Sequence, residues 1–169
     1  MKMAEKPSVT PELRERAKLA PGTWIYAVDP AFEGTVDPPS WAISGAYEVD
    51  ERGEIVEFIQ NPDYLPTAFA LGFPVPANEL EIALQNAATG HGGDDDVRAA
   101  LRESSIFAEH NGYDTVHAFT SENYLPDAGA GRNWQRVPAR DLAPVLSARY
   151  LVLNPGSKLE LRLPSTVLA

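Results

Sequence analysis

The stretch that decides the fold is LVLNPGS at residues 151–157, where a short apolar run stops at Asn154-Pro155-Gly156. An apolar run bounded by turn residues predicts a buried strand at 150–153. Proline followed by glycine at the two central positions of a four-residue turn predicts a type II turn, because proline fixes a negative φ and glycine accepts a positive one. The alternating residues 158–163 are therefore expected to pair with that strand.

A second stretch, FTSENYLP at 119–126, ends another strand in a similar way. Residues 115–119 are typical of a strand, and the dipeptide Asn111-Gly112 before them predicts a hairpin with 105–109. Ser121 is typical of a helix N-cap, and an acid follows it in the first turn. We expect the two stretches to emerge at the same edge of one sheet and form a binding rim. The alternative is that both simply reverse the chain.

The rest of the chain predicts short elements separated by turns. Thr10 and Pro11 mark a helix start, as an N-cap hydroxyl and a proline at the first helical position. Turn residues at 50–53 predict a β-hairpin over 41–59, with a bulge or burial on both sides. The remaining segments are a strand at 23–28, a short helix near 66–71, helices at 79–88, 94–103 and 138–146, a strand at 134–137, and a helical turn from Ser165.

Composition favours a small α+β protein. Fifteen of the 169 residues are proline, and proline interrupts helices by removing an amide donor. We expect a tail and short helix at 1–22, followed by a single compact α+β domain over 23–169. This domain is expected to have a mostly antiparallel or mixed sheet, short helices and Pro-rich loops.

Charge and cysteine content exclude several classes of function. The net charge is −10, and an acidic surface repels nucleic acid and anionic membranes but suits a basic partner. The absence of cysteine excludes a thiol nucleophile, a disulfide framework and a Cys-based zinc site. Residues 1–16 contain no apolar signal region, and no apolar run reaches the ~20 residues of a membrane span. We therefore expect a cytoplasmic protein.

The titratable residues form no recognisable catalytic or metal-binding pattern. The three histidines, His91, His110 and His117, lack metal-ligand spacing. The acidic run at 94–96 fits the first turn of a helix and lacks the spacing of an EF-hand loop. No nucleophile elbow or phosphate loop is present. We predict no catalytic residue, no cofactor and no metal.

The stretches at 119–126 and 151–157 also resemble a known protein family. The segments VHAFTS at 116–121 and VLNPGS at 152–157 resemble the N-terminal domain of SseB-type proteins, a family named after an enhanced-serine-sensitivity protein. The resemblance covers 104–169. It implies a small α+β domain with no established enzymatic activity.

The upstream half, 23–103, resembles type VII secretion system-associated proteins of actinobacteria. The matching segments are WIYAVDP at 24–30, PSWAISGAY at 39–47 and FIQNPDY at 58–64. This resemblance implies a cytoplasmic, non-enzymatic accessory protein of a type VII secretion locus that acts by protein–protein binding, as an adaptor, chaperone or regulator. Its partner would be a secretion component or substrate.

Two alternatives stay open at this point. An acidic α+β protein also suits an immunity protein that neutralises a co-encoded toxin. A pocket near the two turns would instead suit a small-ligand-binding protein or an enzyme of unknown chemistry. The residues expected to bind a partner are the tryptophans, which otherwise belong to the core, and the two turns: Trp24, Trp41, Phe119, Thr120, Ser121, Trp134, Asn154, Pro155, Gly156 and Ser157.

Overall fold

The computed structural model describes residues 8–110, 115–126, 134–146 and 150–168. It combines short helices with an antiparallel sheet and a mixed sheet, which confirms the α+β class. The chain divides into two compact units, Met1–Gly72 (unit 1) and Phe73–Ala169 (unit 2). Each unit has its own sheet and apolar cluster, whereas the sequence suggested one domain with an inner boundary at 103/104.

Unit 1 contains one α-helix and a three-stranded antiparallel sheet in the order β1-β2-β3. The elements are α1 (Pro11–Lys18), β1 (Trp24–Val28), β2 (Ile43–Val49) and β3 (Ile55–Gln60). The Thr10 hydroxyl accepts the Leu13 amide at 3.2 Å, so the predicted cap is confirmed. The predicted hairpin is also confirmed, with a register shift between Glu48 and Val49.

The short helix expected near 66–71 is wrong, since this segment forms turns instead. Pro66 and Gly72 leave too few residues between them to stabilise a helical nucleus. Two further 3₁₀ helices, Pro30–Phe32 and Ser40–Ala42, connect β1 to β2. Unit 1 is therefore a β-meander with ordered, proline-rich connections.

One face of the unit 1 sheet holds the apolar core. Alternate residues from the three strands pack there with α1. The buried members are Ala17, Ile25, Tyr47 and Val49. Phe58 packs against them, and its ring centroid lies 4.7 Å from that of Tyr47. The opposite face of the sheet does not contribute to this cluster.

Gly45 in β2 permits the close packing of β3. A Cβ at this position would overlap both the Phe58 ring and the Ile59 carbonyl oxygen. A glycine inside a strand commonly marks such a close approach.

Unit 2 contains two α-helices and a five-stranded mixed sheet in the order β6-β4-β5-β7-β8. The elements are α2 (Glu79–Thr89), α3 (Asp94–Glu103), β4 (Ser105–His110), β5 (Thr115–Phe119), β6 (Arg136–Pro138), β7 (Tyr150–Leu153) and β8 (Leu161–Pro164). Strands β5 and β7 are parallel, and the other pairs are antiparallel. All the predicted strands occur, but β6 begins two residues later than expected and β8 three, since residues 158–160 still belong to the preceding turn. The turn residues Asn111-Gly112 lie outside the described residues.

The core of unit 2 lies between the helices and the sheet. Both helices contribute an apolar stripe to it. Its fully buried side chains include Leu80, Val97, Leu101, Ile106, Val116, Leu151 and Leu153. No helix among residues 8–110, 115–126, 134–146 and 150–168 has the length and apolar character that a bilayer crossing demands.

Both predicted helices of unit 2 begin as expected, but a third one is absent. The Asn78 side chain caps α2, and the Asp96 carboxylate accepts the Gly93 amide at the start of α3 at 2.9 Å. The helix predicted over 138–146 is wrong: Ala139–Leu142 is a 3₁₀ helix followed by turns. Pro144 lacks an amide hydrogen and disfavours helical geometry at the residue before it, which limits the helix to one turn.

The substitution Gly45→Ala is expected to destabilise unit 1 by about 2 kcal/mol, because the added methyl group overlaps backbone as well as a ring. Urea unfolding followed by circular dichroism measures this change. Gly93→Ala is the control for the added methyl group, since its Cβ would meet open space; as the N-cap of α3 it is expected to cost less than about 1 kcal/mol. Equal stability losses in the two variants would contradict the packing argument.

Candidate functional site

The stretches at 119–126 and 151–157 meet at one edge of the unit 2 sheet, as the sequence predicted. Because β5 and β7 are parallel, their carboxyl ends lie side by side. The Asn154 amide donates to the Ala118 carbonyl at 2.8 Å, and the Asn154 side-chain oxygen accepts the Thr120 amide at 2.9 Å. Backbone and side chain of one asparagine therefore join the ends of both strands.

The turn at 154–157 has the predicted type II features. The Ser157 amide donates to the Asn154 carbonyl at 3.1 Å, and Gly156 has φ +79° at the third position. Asn154 itself has φ +47°, a left-handed conformation that asparagine tolerates better than most residues. This backbone conformation places the Asn154 side chain over the end of β5.

A buried glutamate connects these strand ends to the start of α2. Glu81 is fully buried; its carboxylate accepts the Thr120 hydroxyl at 2.8 Å and the Ala77 amide at 2.7 Å. Asn78 donates to the Thr120 carbonyl at 2.9 Å. We call Asn78, Glu81, Thr120 and Asn154 the strand-end network. The sequence reasoning missed its two helix members, although N-cap and N3 spacing is the signature of a capping box.

Two polar groups beside the network have no hydrogen-bond partner among the described residues. These are the Asn154 side-chain nitrogen and the Tyr124 hydroxyl, both buried. Burial and, secondarily, the negative charge of Glu81 raise the pKa of Tyr124. The phenol therefore stays protonated in the ordinary pH range.

The predicted rim residues divide into buried and accessible groups. Thr120 and Asn154 are buried, so their polar groups hold the turns together and do not face a partner. Phe119 is also buried and forms an edge-to-face ring contact with half-buried Trp134, at 5.1 Å between centroids. The outward part of the rim consists of exposed Gly156 and half-buried Ser121, Pro155 and Ser157.

In unit 1, a buried aspartate brings the resembling segments together. Asp29 is fully buried and accepts four hydrogen bonds. They come from the Ala31 amide (3.0 Å), the Thr67 amide (2.9 Å), the Thr67 hydroxyl (2.6 Å) and the Tyr64 hydroxyl (3.0 Å). The end of WIYAVDP is thus fixed to the end of FIQNPDY.

These hydrogen bonds set the protonation of both groups. Burial by itself would raise the pKa of Asp29, but the bonds from Thr67, Ala31 and Tyr64 outweigh it and lower the pKa. Burial and the Asp29 carboxylate raise the pKa of Tyr64 to about 12. Asp29 is therefore a charged structural anchor at neutral pH.

Trp41 also serves the interior of unit 1. It is half-buried and forms an edge-to-face contact with Phe32, at 5.2 Å between ring centroids. The Leu65 amide donates to the Trp41 carbonyl at 2.9 Å. Trp41 therefore helps to fix the connection after β3.

A cavity of about 400 Å³ lies beside the aspartate anchor within unit 1. Its lining is mainly apolar, with Ala27, Phe58, Pro66 and Leu71 among its residues, and Tyr64 is its one ionisable residue. The Tyr64 hydroxyl already donates to Asp29. No group of three or more metal-ligating side chains occurs within the part of the chain that the structure describes.

The second face of the unit 1 sheet exposes apolar side chains to solvent. Trp24 is 45% exposed, Tyr26 63% and Ile59 49%. The strand register aligns Tyr26, Ala46 and Ile59 in one row across the sheet. A neighbouring row contains Trp24, Glu48 and Glu57. We call these six residues the aromatic face.

The aromatic face forms a shallow depression rather than a deep pocket. A depression of about 490 Å³ is lined by Trp24, Tyr26, Ile59 and the segment that follows β3. The sequence reasoning chose Trp24 but missed Tyr26 and Ile59. The alternation of Trp24 and Tyr26 around buried Ile25 is the signal that identifies a shared face.

Two substitutions of Asn154 distinguish the contribution of its side-chain hydrogen bond to stability from that of its backbone conformation. Asn154→Gly removes the acceptor of the Thr120 amide and destabilises unit 2 by about 1–2 kcal/mol. Asn154→Ala adds the strain of a positive φ, about 1 kcal/mol more. Urea unfolding measures both. If the alanine variant equals the glycine variant, the conformational argument is wrong.

Asp29→Asn is expected to destabilise unit 1 by about 2–3 kcal/mol at neutral pH, because an amide nitrogen then faces hydrogen-bond donors. The folded pKa of Asp29 lies below its ordinary value of 3.8. Its stabilisation is therefore complete above that value and is lost as pH falls through the folded pKa.

Thermal unfolding of the wild-type protein and the Asp29→Asn variant from neutral to acidic pH measures this linkage, and the stability difference is expected to shrink in acid. Exposed Asp63 supplies the control Asp63→Asn, expected to change stability by less than about 0.5 kcal/mol. A difference between the wild-type protein and the Asp29→Asn variant that is constant with pH would contradict the charged-anchor interpretation.

Comparison with known proteins identifies the second half of the chain. Neither a curated protein nor a solved structure matches the sequence. The sequence model of the SseB protein N-terminal domain matches residues 70–169. This match confirms the SseB resemblance and begins upstream of the expected residue 104, so it also includes α2, α3 and the whole strand-end network. Because the match covers more than half of the chain, the protein belongs to the SseB N-terminal domain family.

Proposed function

We propose that this chain is a cytoplasmic, non-enzymatic accessory protein of a type VII secretion locus that acts by binding another protein. The observation that carries the proposal is the aromatic face, where Trp24, Tyr26 and Ile59 are all about half exposed on one face of the sheet. Aromatic side chains contribute large contact area at interfaces and are common hot spots.

The link to secretion comes from unit 1. Its segments at 24–30, 39–47 and 58–64 resemble type VII secretion-associated proteins of actinobacteria. These segments meet around Asp29 and β2, so the residues that carry the resemblance belong to one folded unit. An adaptor, a chaperone or a regulator would each use such a domain to hold a secretion component or substrate.

The acidic hairpin supports a second candidate, an immunity protein for a co-encoded toxin. Residues 48–57 contain Glu48, Asp50, Glu51, Glu54 and Glu57 but only one basic residue, Arg52. A surface of this kind favours a basic partner and fast association. Rescue of cells that express a neighbouring toxin would distinguish this role from the secretion role.

The proposal is tested by affinity capture from the native host with mass spectrometry of the bound proteins. The wild-type chain is expected to enrich a secretion ATPase or a W-x-G substrate. Trp24→Ser with Tyr26→Ser is expected to lower that enrichment at least about tenfold, as expected for loss of two hot-spot residues. Enrichment of a toxin instead would favour the immunity role.

The matched control is Phe69→Ser, because Phe69 is 63% exposed, as Tyr26 is, but lies outside the sheet. This variant is expected to keep the wild-type partner. Circular dichroism verifies that all variants fold, since exposed strand substitutions cost at most about 1 kcal/mol. A partner retained equally by the double variant would overturn the assignment to the aromatic face.

A further inference from the structure

We propose that the aromatic face binds an extended segment of a partner protein in which a basic residue stands two positions from an apolar residue. This inference rests on the proposed protein-binding function and specifies the chemistry of the partner. It follows from the order of the two rows on the face. The row of Tyr26, Ala46 and Ile59 carries no charge and has the Tyr26 hydroxyl as its one polar side-chain group; we call it the apolar row. The neighbouring row of Trp24, Glu48 and Glu57 combines an aromatic ring with two carboxylates; we call it the acidic row.

The acidic row has two carboxylates and an indole ring side by side, an arrangement that suits binding of a cation. Glu48 and Glu57 lie directly opposite each other on β2 and β3, and Trp24 lies opposite Glu48 on the other side. Like charges that face each other across strands destabilise a sheet. Neither carboxylate forms an ion pair with a described residue. A guanidinium or ammonium group would relieve their repulsion and also contact the face of the indole ring.

The apolar row sets the spacing of the partner's side chains. Tyr26 and Ile59 each lie two positions from a member of the acidic row, a distance of about 6.8 Å along a strand. In an extended peptide, residues two positions apart lie on one side with the same separation. When a basic side chain of the peptide lies over the acidic row, an apolar side chain two residues away therefore lies over the apolar row.

Charge decides between this occupant and a second copy of the chain. Residues 8–72 contain eleven acidic and four basic residues. A symmetric contact through the aromatic face would bring the carboxylates of two copies together, which like-charge repulsion opposes. Nucleic acids and anionic membranes are opposed by the same charge. A basic segment with apolar side chains complements both rows.

The test uses the full chain and a fluorescent peptide of about ten residues with arginine two positions from leucine, repeated. A second peptide has the same composition with arginine and leucine adjacent, and a third replaces arginine by glutamate. Fluorescence anisotropy measures binding at low and high salt. The first peptide is expected to bind most tightly, and salt is expected to weaken it, because exposed ion pairs are screened.

Protein variants locate the binding site. The double variant Glu48→Gln, Glu57→Gln is expected to bind the first peptide about fivefold more weakly, because two exposed ion pairs are lost. Glu51→Gln with Glu54→Gln removes the same charge from the hairpin turn and is the matched control, expected to change affinity less than about twofold. Glu48→Lys with Glu57→Lys is expected to transfer the preference to the glutamate peptide.

Several outcomes would overturn the inference: no binding of the first peptide, equal affinity for the adjacent arrangement, or equal weakening by the turn variant. Dimerisation that Trp24→Ser abolishes, seen by sedimentation, would instead assign the face to a second copy. If host capture depends on Trp24 and Tyr26 but not on Glu48 and Glu57, the protein-binding function stands and this inference fails. If peptide binding behaves as expected but the host yields no partner, the proposed function fails and the surface chemistry stands.

Discussion

The buried carboxylate of Glu81 is the constraint on which the arrangement of unit 2 depends. A charged group without partners in a protein interior is strongly destabilising, so donors must converge on it. Here they come from the Ala77 amide before α2 and from the Thr120 hydroxyl after β5. Because the Thr120 amide also donates to Asn154 after β7, the helix start and both strand ends must occupy fixed positions. All of these segments lie within the matched residues 70–169.

Unit 1 uses a buried carboxylate in the same way. Asp29 fixes the end of β1 to the segment containing Tyr64 and Thr67. Asp29 and Tyr64, which lie at the ends of two of the resembling segments, are thus joined inside unit 1, and such a contact specifies a fold without specifying a reaction. The side chains of Trp24 and Tyr26, which lie within one of these segments, are exposed and point away from this interior.

Most elements of the fold could be predicted from the sequence because their signals are local. The Thr10 cap, the hairpin around 50–53 and the Asn154 turn each depend on a few adjacent residues and were confirmed. The helix predicted over 138–146 was wrong because Pro144 interrupts it, which leaves a 3₁₀ helix at Ala139–Leu142. Glu81 and Asp29 were missed as site residues because their partners lie up to about forty residues away, and sequence spacing carries no record of such contacts. The alternation around Ile25 marks Trp24 and Tyr26 as sharing a face, but Ile59 could be assigned to that face only when the strand register was known.

The parallel pairing of β5 with β7 constrains the order in which the chain folds. Val116 pairs with Leu151, thirty-five residues later, and β6, which lies between them in sequence, is placed beyond β4 at the far edge of the sheet. The longest connection in the unit 1 meander is the segment 29–42, whereas β5 can pair with β7 only after the segment 120–149 closes as a loop. Such non-local strand pairing is slow. During this interval β5 and the apolar strand β7 present unpaired edges that can join another chain. In a crowded cell, aggregation of the newly made protein is therefore expected to begin in unit 2, and chaperones that bind unpaired strands would act there.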